Sequence, residues 1–295
     1  MTPVQGELAV ELPPRLFTAT PSKLDTWLDC PRRYRFSYVD RPTPPKGPPW
    51  AHNSLGAAVH TALAGWWALP VQDRTVSAAR RLLHEKWVTN GFRDDQQADE
   101  WRDRACDMVE RYVATLDPTD EPLGVERTVA MRTPRLALSG RIDRLDRRGD
   151  ELVVVDYKTG RHLLSTDDAR GSLALAVYAA ASARMFRMPC NRVELHHLPT
   201  GEVIEWEYTE ASLTRHLERI ESIGIEASEM HAQLDAAGGD ADALDSLFPA
   251  RSGPLCKWCD FVEHCSEGKQ AAPQRLKPWA GLAPDIASHV DDVVE

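Results

Sequence analysis

The chain lacks several features that would decide its class at once. No run of about 18 apolar residues occurs in its 295 residues, which excludes a transmembrane helix. The first stretch, MTPVQGELAVELPPRLF, has no basic segment followed by an apolar one. No secretory signal is therefore visible, and a cytoplasmic location is expected. No G-x-x-x-x-G-K-[ST] loop is present, so any duplex unwinding must come from another chain. Positive charge is not in excess either. The net charge is −10, which argues against a uniformly basic coat. Six cysteines in an intracellular chain favour metal or cluster ligation over disulfides.

The densest information lies in Gly140–Gly160, GRIDRLDRRGDELVVVDYKTG. Two runs of strand-forming residues flank a polar turn, which predicts a β-hairpin. The apolar run Leu152-Val153-Val154-Val155 suits a central strand covered on both faces. It ends in Asp156-Tyr157-Lys158, where alternation puts Asp156 and Lys158 on one side and Tyr157 on the other. An even loop, Gly149-Asp150, pairs Arg148 with Glu151 and places Asp143 opposite Asp156; an odd loop separates them. In the even register two carboxylates and an ammonium meet at the end of a buried strand. Such carboxylates favour a divalent cation. The lysine beside them could orient a water or offset charge on a phosphate.

Around this hairpin the pattern is helical and mixed. Residues 1–21 read as a flexible arm. Ser22 reads as the cap of a helix carrying Leu24, Trp27 and Leu28. Asn53–Trp67 is a strong helix pattern with His60 at its middle, and amphipathic helices are expected near 75–89 and 96–116. Val125–Met131 reads as a strand on which Glu126 either faces solvent, the preferred reading, or approaches the site. A helix is expected from Asp167 to Met188, then a second hairpin over Asn191–Pro199 and Gly201–Tyr208. An acidic helix over Thr209–Asp235 and a flexible connection over Gly238–Asp245 follow. Glu205–Leu247 holds 11 acidic residues against Arg215 and Arg219, a net of −9 that leaves the remainder near neutral. Arginines cluster at Arg32, Arg33 and Arg35, and at Arg141, Arg144, Arg147, Arg148 and Arg161; these could contact phosphates in a local channel. Pro254–Cys265, PLCKWCDFVEHC, spaces Cys256, Cys259 and Cys265 as C-x2-C-x5-C. Three thiolates this close can wrap a metal centre. Cys30 is the natural fourth ligand, and zinc held with Cys30 or His264 is an alternative.

Gly140-Arg141-Ile142-Asp143 and Asp156-Tyr157-Lys158, with a buried strand between, resemble the core of the PD-(D/E)xK nuclease superfamily. Gly56 to His60 matches the G-x-x-x-H motif of its RecB-type members. The cysteine arrangement, one before the core and three after it, resembles the iron–sulfur branch seen in AddB and CRISPR-associated exonucleases. The resemblance spans about Ser22 to Ser266 and implies an α/β fold. That fold would be a restriction-endonuclease-like core, a mixed central sheet flanked by helices, with an N-terminal helical arch and a C-terminal cysteine-cluster region. One nuclease domain is expected over 22–268, with a helical insertion at 70–118 and a mobile tail at 269–295. The implied activity is Mg²⁺- or Mn²⁺-dependent hydrolysis of DNA, single-stranded or at duplex ends, by an exonuclease of repair or recombination. The resemblance makes Asp143, Asp156, Lys158 and Tyr178 catalytic. It makes His60, Asp143, Asp156 and the Tyr157 carbonyl metal ligands, and Cys30, Cys256, Cys259 and Cys265 ligands of a [4Fe–4S] cluster. Arg32, Arg33, Arg35, Arg141 and Arg161 are the DNA-contact candidates. Any unwinding would need a separate helicase partner, and no membrane is involved. The sequence departs from the RecB-like Gln-x-x-x-Tyr at one place, with Ala174 where the glutamine would stand. A catalytically silent DNA-binding or assembly subunit is the alternative that this departure motivates.

Overall fold

The computed structural model describes residues 16–238 and 241–282. The Leu152–Val155 run is central, as its composition requires. Strand β4 (Glu151–Lys158) lies between β3 (Leu136–Arg148), antiparallel to it, and β5 (Arg192–His197), parallel to it. β6 (Glu202–Glu207) pairs antiparallel with β5 at the edge. β2 (Gly124–Arg132) pairs antiparallel along β3. On the other side of β3 two partners share its length. β1 (Phe17–Ala19) runs parallel to Leu136–Leu138, and β4 takes Arg144–Arg148. Between them, residues 139–143 of β3 have no strand on that side. The sheet is thus mixed, and it carries a gap in one ladder.

Alternation along β4 feeds two cores. Leu152 and Val154 enter one with α1 (Pro21–Asp29), α7 (Leu173–Phe186) and α8 (Glu210–Ala236). Val153, Val155 and Tyr157 enter the other with α3 (Ala51–Trp67), α4 (Val76–Lys86) and α5 (Asp95–Val113). The arrangement is the expected mixed α/β core with its sheet between helices, and α4 and α5 lie within the stretch 70–118. No helix among the described residues is long and apolar enough to cross a membrane.

Several boundaries differ from the sequence reading, each for a local reason. Phe17–Ala19, assigned to the arm, is a strand because β3 offers an unpaired edge. Thr20, not Ser22, caps α1, since Pro21 occupies the first helical position and the Thr20 side chain accepts from Lys23 N. The helix expected from Asp167 splits into α6 (Thr166–Gly171) and α7, because Ser172 leaves helical geometry to cap α7 through Leu175 N. Ala241–Leu247 forms helix α9 within the stretch read as a flexible connection. The expected tail begins as α10 (Ser266–Ala271) and continues packed. Ala51 N donates to Pro278 O, and Arg275 reaches Asp260 and Pro48 O. The remainder, from 283, lies outside the described residues, as do 1–15 of the arm.

Two arginines of the hairpin serve the interior instead of phosphates. Arg148 grips Glu194 of β5 through both oxygens, at 2.5 and 2.9 Å. Glu194 also meets His196, which bonds Tyr112 of α5, which accepts from buried Arg144. Burial works against the ionised Glu194, but the bonds from His196 and Arg148 outweigh it and hold its pKa down at about 2. A carboxylate depressed on folding contributes stability that is present above its ordinary value near 4.5 and is lost as pH falls toward 2. Glu194→Gln is therefore expected to cost about 3 kcal/mol at neutral pH. The gap from wild type in urea titrations should close as pH drops through that window. A gap independent of pH would refute this role.

Candidate active site

Helix α3 approaches β4 closely because residue 56 is glycine: a Cβ there would lie 3.2 Å from Thr159 Oγ1. One turn on, His60 comes over the end of the strand. Its ring meets that of Tyr157 edge-on at 5.8 Å, and its Nδ1 lies 3.1 Å from Asp143 Oδ1. The hairpin has the even register: Arg148 pairs with Glu151, which sets Asp143 across from Asp156. The ladder stops at Arg144–Val155, and the next backbone donor, Tyr157 N, is taken at 2.7 Å by the Asp143 carboxylate. Asp143 thus substitutes for a missing strand contact with one oxygen and offers the other to the gap.

Glu126 takes the position that sequence reasoning weighed for it and ranked second, an approach to the site. It stands across from Asp143 in the β2–β3 register, between the pairs Val125–Arg144 and Arg127–Ile142. Its φ of 48° is left-handed, a strained conformation for a side-chain-bearing residue. The expected solvent-facing position is corrected: Glu126 Oε1 lies 4.0 Å from His60 Nδ1. Its other oxygen meets Arg141 Nε at 2.5 Å. Among the described residues, His60, Glu126 and Asp143 are the group whose ligand atoms fall within 4.8 Å of one another.

Asp156 and Lys158 face each other as alternation requires. Their ion pair measures 2.5 Å, yet Asp156 Oδ2 has no partner in hydrogen-bond geometry. Burial raises the Asp156 pKa; Lys158 opposes that and Asp143 reinforces it. Burial also acts against the Lys158 ammonium, but Asp156 prevails and the pKa rises, so the lysine stays protonated. His60 behaves alike. Burial disfavours its charge, and Asp143, Asp156 and Glu126 more than compensate, raising its pKa. The pocket draws positive charge to itself, as a cation site does.

Tyr178 of α7 lies against Gly140, where a Cβ would collide with the ring. Burial first, then the charges of Asp156 and Asp143, push its hydroxyl pKa well up, so it is a hydrogen-bond donor. The family model for the PD-(D/E)XK nuclease superfamily matches residues 18–266. The chain belongs to that superfamily. Among solved structures, the crystal structure of SSO0001 is similar at 13% identity, with 88% of this chain and 90% of that chain covered and a TM-score of 0.38. No curated protein matches the chain.

Two of the arginines expected on DNA do not fit that role in this nuclease. Arg32 is buried, donating to Phe248 O and pairing with Asp245. Arg35 is held by Asp245 and Asp40. Arg33 pairs with Asp29 one turn away, Arg141 with Glu126, and Arg161 is exposed.

Cys30, Cys256, Cys259 and Cys265 line one pocket of about 70 Å³. The C-terminal thiols are arrayed by two short 3₁₀ turns, Pro254–Trp258 and Val262–His264. Backbone N–H groups point at the sulfurs: Arg251 at Cys30, Gly253 at Cys256 and Gly268 at Cys265, at 3.3–3.4 Å. His264 instead bonds Pro45 O, away from a ligand role. Cys106 and Cys190 are buried elsewhere.

Gly140→Ala should cost about 2 kcal/mol by overpacking. In a Tyr178→Ala background the same change should cost much less. Equal costs in both backgrounds, measured by urea denaturation, would show that the ring does not depend on the bare backbone.

Proposed function

We propose that this superfamily nuclease is a RecB-type, Mg²⁺- or Mn²⁺-dependent DNA exonuclease of repair or recombination. The observation that carries it is the convergence of His60, Glu126 and Asp143 on the β3 gap beside the Asp156–Lys158 pair. Asp143 and Asp156 would hold the divalent ion with His60 and the Tyr157 carbonyl, and Glu126 joins that set. The carboxylates of Asp143, Asp156 and Glu126, which together raise the His60 pKa against its burial, fit a site that attracts a cation. Once bound, such an ion polarises a phosphoryl oxygen and lowers the pKa of water. Lys158 is held protonated, so it serves as a donor and positive charge for the phosphate and the attacking water, not as a base. Tyr178, whose ring lies against Gly140, would serve as a hydrogen-bond donor.

The four cysteines are proposed to hold a [4Fe–4S] cluster that ties the start of α2 (Pro31–Tyr38) to the C-terminal turns. The C-x2-C-x5-C spacing, the distant Cys30 and the nuclease motifs between them favour the cluster over a tetrahedral zinc site. The donated N–H groups are the kind that support thiolates in such centres. A DNA-binding subunit without cleavage is the second reading, favoured by Ala174, which leaves no polar side chain one turn before Tyr178 on α7.

Purified protein should degrade labelled single-stranded DNA with Mn²⁺ or Mg²⁺, and Asp156→Ala or Lys158→Ala should each cut the rate by about a thousandfold. Glu126→Gln should raise the Mn²⁺ requirement about tenfold. DNA binding without degradation at any metal concentration would favour the second reading. Anaerobic preparations should be brown and iron-loaded; a colourless, zinc-loaded protein would rule out the cluster.

A further inference from the structure

The stretch Glu205–Leu247 carries 11 acidic residues and only two basic ones, Arg215 and Arg219. Those two are one turn apart on α8, an arrangement in which like charges destabilise a helix. Among the described residues neither has a carboxylate partner, although Glu218 and Glu221 share their helix. Instead both line a hollow of about 550 Å³ between α6, β6 and α8. Arg170 comes to it from α6, paired with Asp167 at 2.8 Å. Trp206 of β6 offers its half-buried indole to the same hollow, and Glu207 is the acid among its lining residues. His216 sits within the cluster, its ring edge-on to Tyr208 at 5.5 Å. Burial and the charges of Arg219 and Arg215 disfavour its imidazolium, so it adds no competing cation.

A second hollow, of about 590 Å³, is lined by Lys158, by Gly171 and Ser172, and by the acids Asp167 and Asp168. Gly171 lines both hollows, and a Cβ there would stand in open space. The hollow that holds Lys158 and the hollow that holds the arginines therefore adjoin at this residue.

We propose that the hollow between α6, β6 and α8 is a second docking site for single-stranded DNA, taking phosphate on Arg215 and Arg219 and a base against Trp206. Guanidinium groups beside an indole form the combination that tracks a sugar–phosphate backbone while tolerating any base. Confined to a stretch that otherwise repels nucleic acid, the two arginines make that attraction local. The site rests on the nuclease reading above, since it takes the strand whose neighbouring phosphate lies at Lys158.

The test is fluorescence anisotropy in EDTA at several salt concentrations. It compares wild type with Arg215→Gln/Arg219→Gln, using labelled oligothymidylates of about four and about twenty nucleotides. The long oligomer should lose roughly tenfold in affinity, and its salt slope should fall by about 1.4, two single-strand phosphate contacts. Binding of the short one, and its Mn²⁺-dependent cleavage, should be unchanged. An unchanged affinity and slope for the long oligomer, with a wild type that cleaves, would overturn this site and leave the nuclease reading standing. Equal loss on both lengths would place the arginines at the catalytic centre and overturn a separate site. A wild type that neither binds nor cleaves DNA would sink both readings.

Discussion

The geometry of the site depends on one substitution in a hydrogen-bond ladder. β3 is too long for a single neighbour on one side, and β1 and β4 divide that side between them. Where β4 takes over, the Asp143 carboxylate accepts the Tyr157 backbone N–H. A buried backbone donor must find an acceptor. An aspartate at this position satisfies it and simultaneously aims a second oxygen into the gap. Asp143 therefore stands where the ladder ends, with His60 and, from β2 on the other side of β3, Glu126 brought to its carboxylate.

Rigidity comes from both faces. Tyr157 belongs to the core under α3–α5, and Tyr178 presses on β3 from α7. The Arg148–Glu194–His196–Tyr112 chain ties β3, β5 and α5 together behind the site. At the far end, the cysteine pocket joins residues more than two hundred positions apart, so a centre there closes a very long loop. Such closure restrains the unfolded chain and would hold α2 against the C-terminal turns.

Much of this was legible in the sequence. Asp156 and Lys158 share a side because strands alternate, and the two-residue Gly149-Asp150 turn sets Asp143 across from Asp156. Gly56 and His60 fall one helical turn apart, and the cysteine spacing marked a common pocket. Glu126 was only partly legible: its approach to the site was weighed and a solvent-facing position preferred. Its place needs the β2–β3 register, a non-local pairing, together with a left-handed backbone that glutamate rarely adopts. The arginines misled for a related reason. Charge in a sequence does not reveal partners, and Arg32, Arg35, Arg144 and Arg148 found theirs inside the fold. Ser172 looked like a helix residue because its capping role appears only once α6 turns away.

The central claim is that one divalent cation sits at the β3 gap. Anomalous scattering from crystals soaked in Mn²⁺ tests it most directly. The account predicts a single strong peak bounded by His60, Glu126 and Asp143, with Asp156 beside it, and its disappearance in Asp143→Asn. A peak elsewhere, or none at this gap with manganese in excess, would contradict it.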